Sequence, residues 1–335
     1  GGGGPAMTVD LAAIHEARAR LAGRIEPTPT VLSPSLSAVT GVPVHLKLEH
    51  RQTTGSFKLR GATNAVAMLS DAEKRRGVVA VSTGNHGRAL AHAARLEGMR
   101  ATICMSRLVP ANKIEEIERL GADIRIVGDS QDEAEDEVAR LVAQAGMTVV
   151  PPFDHPGVIA GQGTLGLEIA EAVPDVATVL VPLSGGGLAA GVALVVKAAH
   201  PAARVVGVSM ARGAAMKASL DAGRPVQVRE EPSLADSLGG GIGLDNRLTF
   251  ALCRDLLDDV VLLSEAEIAA GIVHAYAEER EVVEGAAAVG IAALIAGRVK
   301  PVGPTVAILS GRNIDMDLHR RIVSGENPFA AEDAA

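Results

Sequence analysis

Aromatic side chains are nearly missing from this sequence, with four Phe, one Tyr and no Trp among 335 residues. Stacking of successive bases on aromatic platforms is therefore hard to build, and a core has to be filled with Ala, Val, Leu and Ile. Cysteine is as scarce. Cys104 and Cys253 cannot make a disulfide framework, so a reducing cytoplasm is the expected compartment. Positive charge is short as well: 32 Lys and Arg stand against 40 Asp and Glu, a net charge of −8. That balance argues against general affinity for nucleic acid or an anionic membrane surface. The uncharged stretch Val176–Val196 is interrupted by Pro182, Ser184 and Gly185-Gly186-Gly187, so a strand, a loop and a helix fit it better than a membrane span. Gly285–Gly297 has the length of a buried helix. No secretory signal is visible, and Gly1-Gly2-Gly3-Gly4-Pro5-Ala6 before Met7 reads as a cloning remnant, so residues 1–7 are set apart from the fold.

What is present describes a soluble globular enzyme, with 47% apolar and 21% charged residues and length for two domains or one large α/β unit. Strand-like runs occur at Val42–Leu48, Gly77–Val81, Ala101–Met105, Ile124–Val127, Thr148–Val150, Thr178–Leu183, Arg204–Val208, Val260–Leu263 and Thr305–Leu309. Helix-length segments such as Ala111–Leu120, Asp132–Ala145, Gly163–Ala172 and Leu188–Ala199 lie between them. Such alternation predicts parallel sheet with crossover helices. Ser264-Glu265-Ala266-Glu267 reads as a capping box opening a helix that runs to about Glu279. Pro151-Pro152 is the strongest punctuation mark, and the four strands between Gly77 and Val150 can form a compact unit of their own.

Three strand-to-helix loops carry candidate chemistry. In Val181-Pro182-Leu183-Ser184-Gly185-Gly186-Gly187-Leu188, glycines let the backbone approach an anion while helix N-terminal amides point at it. A phosphate site is the leading reading and a bare tight turn the bland one. Gly185, Gly187 and Ala190 also satisfy a loose dinucleotide pattern, but Ser209 and Met210 stand where that pattern wants a carboxylate. In Gln52-Thr53-Thr54-Gly55-Ser56-Phe57-Lys58-Leu59-Arg60-Gly61-Ala62, Ser56 is the expected N-cap. Lys58 then falls in the first helical turn, where the dipole favours a neutral, nucleophilic amine. A solvated surface lysine is the alternative. In Val81-Ser82-Thr83-Gly84-Asn85-His86-Gly87, hydroxyls, an amide and free N–H groups suit a carboxylate or a phenolic oxygen, or merely cap a helix. His86 reads as a packed, hydrogen-bonding residue, with no second ligand at metal spacing. Glu284 enters Gly285-Ala286-Ala287-Ala288. It is either an exposed cap or a buried acid of raised pKa. Ser310 stands at a strand end in Ser310-Gly311-Arg312-Asn313, the edge where doubly wound sheets collect ligands.

Together these elements resemble the fold-type II, tryptophan-synthase-β-like pyridoxal 5′-phosphate enzymes over nearly the whole chain after Met7. Ser56-Phe57-Lys58-x-Arg60-Gly61-Ala62 is the most specific element and points to the threonine dehydratase and serine racemase branch. Gln52–Arg60 and Ser82-Thr83-Gly84-Asn85-His86-Gly87-Arg88-Ala89 resemble the hydroxyectoine-utilisation dehydratases more closely still. The resemblance implies an α/β fold of two domains with mostly parallel sheets and the cofactor in the cleft between them. Residues 8–76 and 151–325 would form the large domain and 77–150 the small one. It implies that Lys58 forms the Schiff base with the cofactor and moves the Cα proton, with Phe57 beside the ring. Ser184, Gly185, Gly186, Gly187 and Leu188 would cradle the phosphate, Asn85 would bond the phenolic oxygen, and Ser310 would face the pyridine nitrogen. Gly239, in Ser237-Leu238-Gly239-Gly240-Gly241, would lie beside the ring, with Glu284 close by and counted, like Thr83, as catalytic. Ser82, Thr83, Gly84, Asn85 and His86 would receive the substrate carboxylate. A homodimer is what the resemblance implies for assembly.

The implied chemistry is β-elimination from a β-hydroxy amino acid. A hydroxyl at Ser310 leaves the ring nitrogen largely neutral, a setting in which departure of β-hydroxide is favoured over a long-lived carbanion. Serine-racemase-like members hold a divalent cation through acidic residues where this chain has Ser209 and Ala215, so no such metal is expected. Thr83 replaces the serine that acts as the second-face acid of racemases, which disfavours racemisation. Hydroxyectoine itself is a cyclic amidine, whereas exchange onto the cofactor needs a primary amine; a ring-opened, hydroxylated derivative is the easier substrate. L-Threonine or L-serine dehydration is the alternative, and a non-catalytic cofactor-binding protein or an NAD-dependent oxidoreductase the outsider.

Overall fold

The computed structural model describes residues 8–329; the glycine-rich segment at residues 1–7 lies outside the described residues. Among the described residues, ten strands form two sheets. They are β1 (Thr30–Leu32), β2 (Val44–Lys47), β3 (Val78–Ala80), β4 (Ala101–Met105), β5 (Asp123–Ile126), β6 (Thr148–Val149), β7 (Thr178–Pro182), β8 (Arg204–Met210), β9 (Asp259–Leu263) and β10 (Thr305–Ile308). The larger sheet has the order β1-β2-β10-β7-β8-β9 and the smaller β5-β4-β3-β6. All pairings are parallel except β1 with β2. Thr305 pairs with Val44 on one side and Thr178 on the other, which brings three strand ends to one edge.

Burial on both faces explains why these strands read as unbroken apolar runs. Leu180, Val206, Val208 and Ala307 face a core shared with the helices Glu265–Ala277 and Gly285–Ile295. Their neighbours Val179, Val181, Val205, Val306 and Ile308 face the opposite core, shared with the helix Gly187–Ala199. In the smaller sheet Val78, Ala80 and Ile103 point one way and Val79 and Cys104 the other. The expected capping box is present: Ser264 accepts from the Glu267 amide and Glu267 from the Ser264 amide, and the helix ends at Ala277. No described helix is long and apolar enough to cross a membrane.

Three local differences from the sequence reading have physical causes. β1 went unseen because it is a three-residue antiparallel edge hemmed by Pro29 and Pro34. The helix expected from Gly163 begins at Pro156, with proline in the first turn and His155 Nδ1 accepting from the Gly157 and Val158 amides. Its glycines disguise it to propensity. Ser56 is not the N-cap. Phe57 holds that place, and the helix Lys58–Ala67 starts with the Ser56 hydroxyl accepting from the Lys58 amide at 3.3 Å.

The helix Lys58–Ala67 is locked to the helix Pro156–Ala172 by glycine contact and by charge. A Cβ on Gly161 would lie 2.5 Å from the Arg60 carbonyl oxygen, and one on Gly61 2.8 Å from the Val158 carbonyl oxygen. Beside this crossing the fully buried Arg60 guanidinium meets Glu49 at 2.6 and 2.9 Å and Glu168 at 2.5 and 3.0 Å. Lys47 adds a second cation at 2.8 Å from Glu168, and the Thr28 hydroxyl donates to Glu49 at 2.7 Å. Two cations balance two carboxylates. Arg60→Ala would leave Glu49 without a cation and Glu168 with Lys47 alone, and the expected cost is about 3–5 kcal/mol of stability, read by urea unfolding; Arg60→Lys should recover little, because one ammonium cannot replace a forked donor.

Candidate active site

The carboxyl ends of β3, β7 and β10 open onto one cavity of about 740 Å³. Phe57 and Lys58, the run Ser82–His86, the run Ser184–Leu188, Gly239, Glu284 and Ser310 all line it. The fold therefore gathers every site residue named from the sequence at one place.

Lys58 leads the list chemically. Its Nζ donates to the Pro152 carbonyl at 3.1 Å and lies 5.3 Å from the centroid of the Phe57 ring. Among the described residues, no carboxylate is paired with it. Burial pushes its pKa down to about 8, so the neutral amine is accessible near physiological pH.

The glycine loop offers open donors. Gly186 takes φ 93° and caps the helix Gly187–Ala199, a left-handed conformation that suits glycine. Among the described residues, the amides of Gly185, Gly186, Gly187 and Leu188 find no protein acceptor, the usual state of a helix N-terminus awaiting an anion. The Ser184 hydroxyl is engaged differently, donating to the Leu238 carbonyl at 2.9 Å. Phe153 packs so tightly here that a Cβ on Gly185 would come within 2.1 Å of its ring.

The loop after β3 is capped from within. The Ser82 hydroxyl accepts from the Gly84 and Gly87 amides at 3.3 and 3.2 Å, while the Thr83, Asn85 and His86 amides find no acceptor among the described residues. His86 is held by a 2.7 Å hydrogen bond from Nε2 to the Val150 carbonyl. Burial, helped by the charge of Lys58, lowers its pKa to about 4, so it is a neutral, packed histidine.

Glu284 is the N-cap residue of the helix Gly285–Ile295 by backbone position, but at 3% exposure it is no surface cap. Its carboxyl accepts from the Ser237 hydroxyl at 2.5 Å, Asn85 Nδ2 at 3.2 Å and the Asn313 amide at 3.1 Å. Burial outweighs these donors and raises its pKa. Ser237, Asn313, Phe153 and the Pro152 carbonyl were not singled out from the sequence. Ser237 and Asn313 lay inside quoted motifs, and Pro151-Pro152 was read only as punctuation; their role is visible through space alone.

Comparison with known proteins now decides the family. The profile described as "Pyridoxal-phosphate dependent enzyme" matches residues 3–311. The chain belongs to the pyridoxal-phosphate dependent enzymes. It is 62% identical over 326 residues to a Sinorhizobium fredii protein named "Putative threonine dehydratase", covering 97% of this chain and 98% of the relative. It is 42% identical to the L-threonine ammonia-lyase of Thermotoga maritima, covering 94% and 78%. Among solved structures, maize serine racemase superposes with a TM-score of 0.88 at 34% identity over 93% of this chain and 96% of that one.

The residues present fit pyridoxal phosphate. An unpaired, buried amine suits its aldehyde, and unspent amides at a helix N-terminus suit its phosphate. The rate at which apoprotein takes up pyridoxal phosphate should rise as pH climbs through about 8, where Lys58 loses its proton, and level off above. Visible absorbance after rapid mixing measures this, and Lys58→Ala should show no borohydride-sensitive band.

Proposed function

We propose that this pyridoxal-phosphate dependent enzyme is a threonine-dehydratase-like lyase. It removes water from a β-hydroxy amino acid and releases an oxo acid and ammonia. The observation that carries the proposal is the pairing, in one cavity, of a deprotonatable amine at Lys58 with a buried, protonatable carboxyl at Glu284. Bound pyridoxal phosphate supplies the electron sink that acidifies the Cα–H bond. Lys58 takes the Cα proton. Glu284, whose pKa burial raises, is the acid available to turn the departing hydroxyl into water. The open amides of Thr83, Asn85 and His86 receive the substrate carboxylate, and Thr83 lines the same cavity. Asn85, Ser310, Phe57, Gly239 and the Ser184–Leu188 loop hold the cofactor.

The names of these relatives favour L-threonine as substrate, and L-serine is the smaller β-hydroxy amino acid of the same class. Resemblance of Gln52–Arg60 and Ser82–Ala89 to hydroxyectoine-utilisation dehydratases supports a second reading, a ring-opened hydroxyectoine derivative bearing a primary amine.

Oxo-acid and ammonia release should be measured on L-threonine, L-serine, 3-hydroxyaspartate and ring-opened hydroxyectoine, with chiral analysis of the remaining amino acid. Equal yields of 2-oxobutanoate and ammonia from L-threonine are expected. Lys58→Ala should lose about 10³-fold or more in kcat, and Glu284→Gln about 10²-fold. Because the Glu284 carboxyl must be protonated to act, wild-type activity should fall as pH rises through its raised pKa, and Glu284→Gln should lack that limb. Faster turnover of the ring-opened compound would move the assignment to the second reading. Inversion of serine without ammonia would overturn elimination.

A further inference from the structure

We propose that Asn313 is a positioning residue that fixes which end of the Asn85 carboxamide faces the active-site cavity. The two ends of a carboxamide have nearly the same shape but opposite hydrogen-bonding character, so neighbours decide its orientation. Here the decision starts from main chain. The Thr54 carbonyl oxygen can only accept, and Asn313 Nδ2 lies 2.9 Å from it. The Asn313 amide nitrogen therefore faces Thr54, and its second proton points to Asn85 Oδ1 at 2.7 Å. Asn85 is left with its oxygen turned to Asn313 and its Nδ2 turned inward, 3.2 and 3.4 Å from the Glu284 carboxylate oxygens.

The slot that holds Asn313 is rigid on both sides. The Arg312 amide donates to the Gly55 carbonyl at 2.9 Å, the Phe57 amide donates to the Ser310 carbonyl at 3.0 Å, and Ser56 bridges Gly311. Thr54 is held at φ 68°, an uncommon conformation for a β-branched residue. A Cβ on Gly55 would lie 2.5 Å from Asn313 Oδ1, so glycine there leaves room for the Asn313 side chain. The Asn313 amide also donates to Glu284 at 3.1 Å. Asn313 thus reads a fixed carbonyl and sets the polarity of Asn85 from one end, while Glu284 accepts from Nδ2 at the other at the longer distance. The proposal rests on the reading that Asn85 donates to the cofactor's phenolic oxygen.

The test uses reconstituted holoenzyme and follows the visible band of the cofactor against pH, together with the affinity of apoprotein for pyridoxal phosphate. Asn85→Ala removes the donor and should move the band's pH midpoint upward by about one unit. Asn313→Asp can no longer donate to Thr54 or to Asn85 Oδ1, and should turn the Asn85 oxygen into the cavity. It should shift the midpoint in the same direction by a similar amount, and the double variant should shift no further. If Asn313→Asp does not fold, Asn313→Ala serves, with a smaller upward shift expected as Asn85 samples both orientations. An Asn313 variant that folds and leaves the midpoint in place, while Asn85→Ala moves it, overturns the positioning role alone. An Asn85→Ala enzyme with an unmoved midpoint overturns the reading of Asn85 and the proposal with it.

Discussion

A guanidinium with no water around it must have its charge and donors met by the protein, and the position of Lys58 follows from how Arg60 meets that demand. Two residues along a helix turn the side chain through about 200°, so Lys58 and Arg60 leave the helix Lys58–Ala67 on opposite sides. Arg60 reaches Glu49 just beyond β2 and Glu168 on the helix Pro156–Ala172. Lys47 at the end of β2 closes the group. Anchored in this way on its buried side, the helix has no rotational freedom left, and Lys58 is aimed at the cavity. The K-x-R spacing is thus an orientation device as much as a family signature.

Charge is handled in opposite ways on the two sides of that helix. Around Arg60, charges are paired: the acids raise the Arg60 pKa, and Arg60 and Lys47 hold Glu168 below its ordinary value against the effect of burial, although burial still lowers Lys47. Across the helix, burial goes largely uncompensated. Lys58 falls to about 8, His86 to about 4, and Glu284 rises. All three shift toward neutrality; an anion that binds there brings formal charge of its own. The open amides of the glycine loop and of the loop after β3 are suited to receive it.

Much of this architecture was legible in the sequence because the relevant signals are local. Buried parallel strands announce themselves as runs such as Thr178–Leu183, and a glycine loop entering a helix reads the same way in sequence and in space. Lys58, Asn85, Glu284 and Ser310 stand out in the sequence because each sits beside a strand end or a helix start, and all four line the cavity. Residues that act across the fold left no comparable mark. The Pro152 carbonyl meets Lys58 from 94 positions away, and Asn313 meets Asn85 from 228. Ser56 was assigned the N-cap role because serine prefers it; the tertiary bridge to Gly311 gave it another. The helix from Pro156 was shortened because its glycines, which serve close packing, count against helix when read one at a time.

The crossing at Gly61 and Gly161 also limits how this protein can change over time. Packed cores usually drift by exchange, one side chain growing as its neighbour shrinks. No such exchange is open here, since both partners are already of minimal size and each faces a carbonyl oxygen of the opposing main chain. No substitution removes a carbonyl. The separation between the amine-bearing helix and its support is therefore written in backbone, and the surrounding sequence is free to diverge around a distance that it cannot alter.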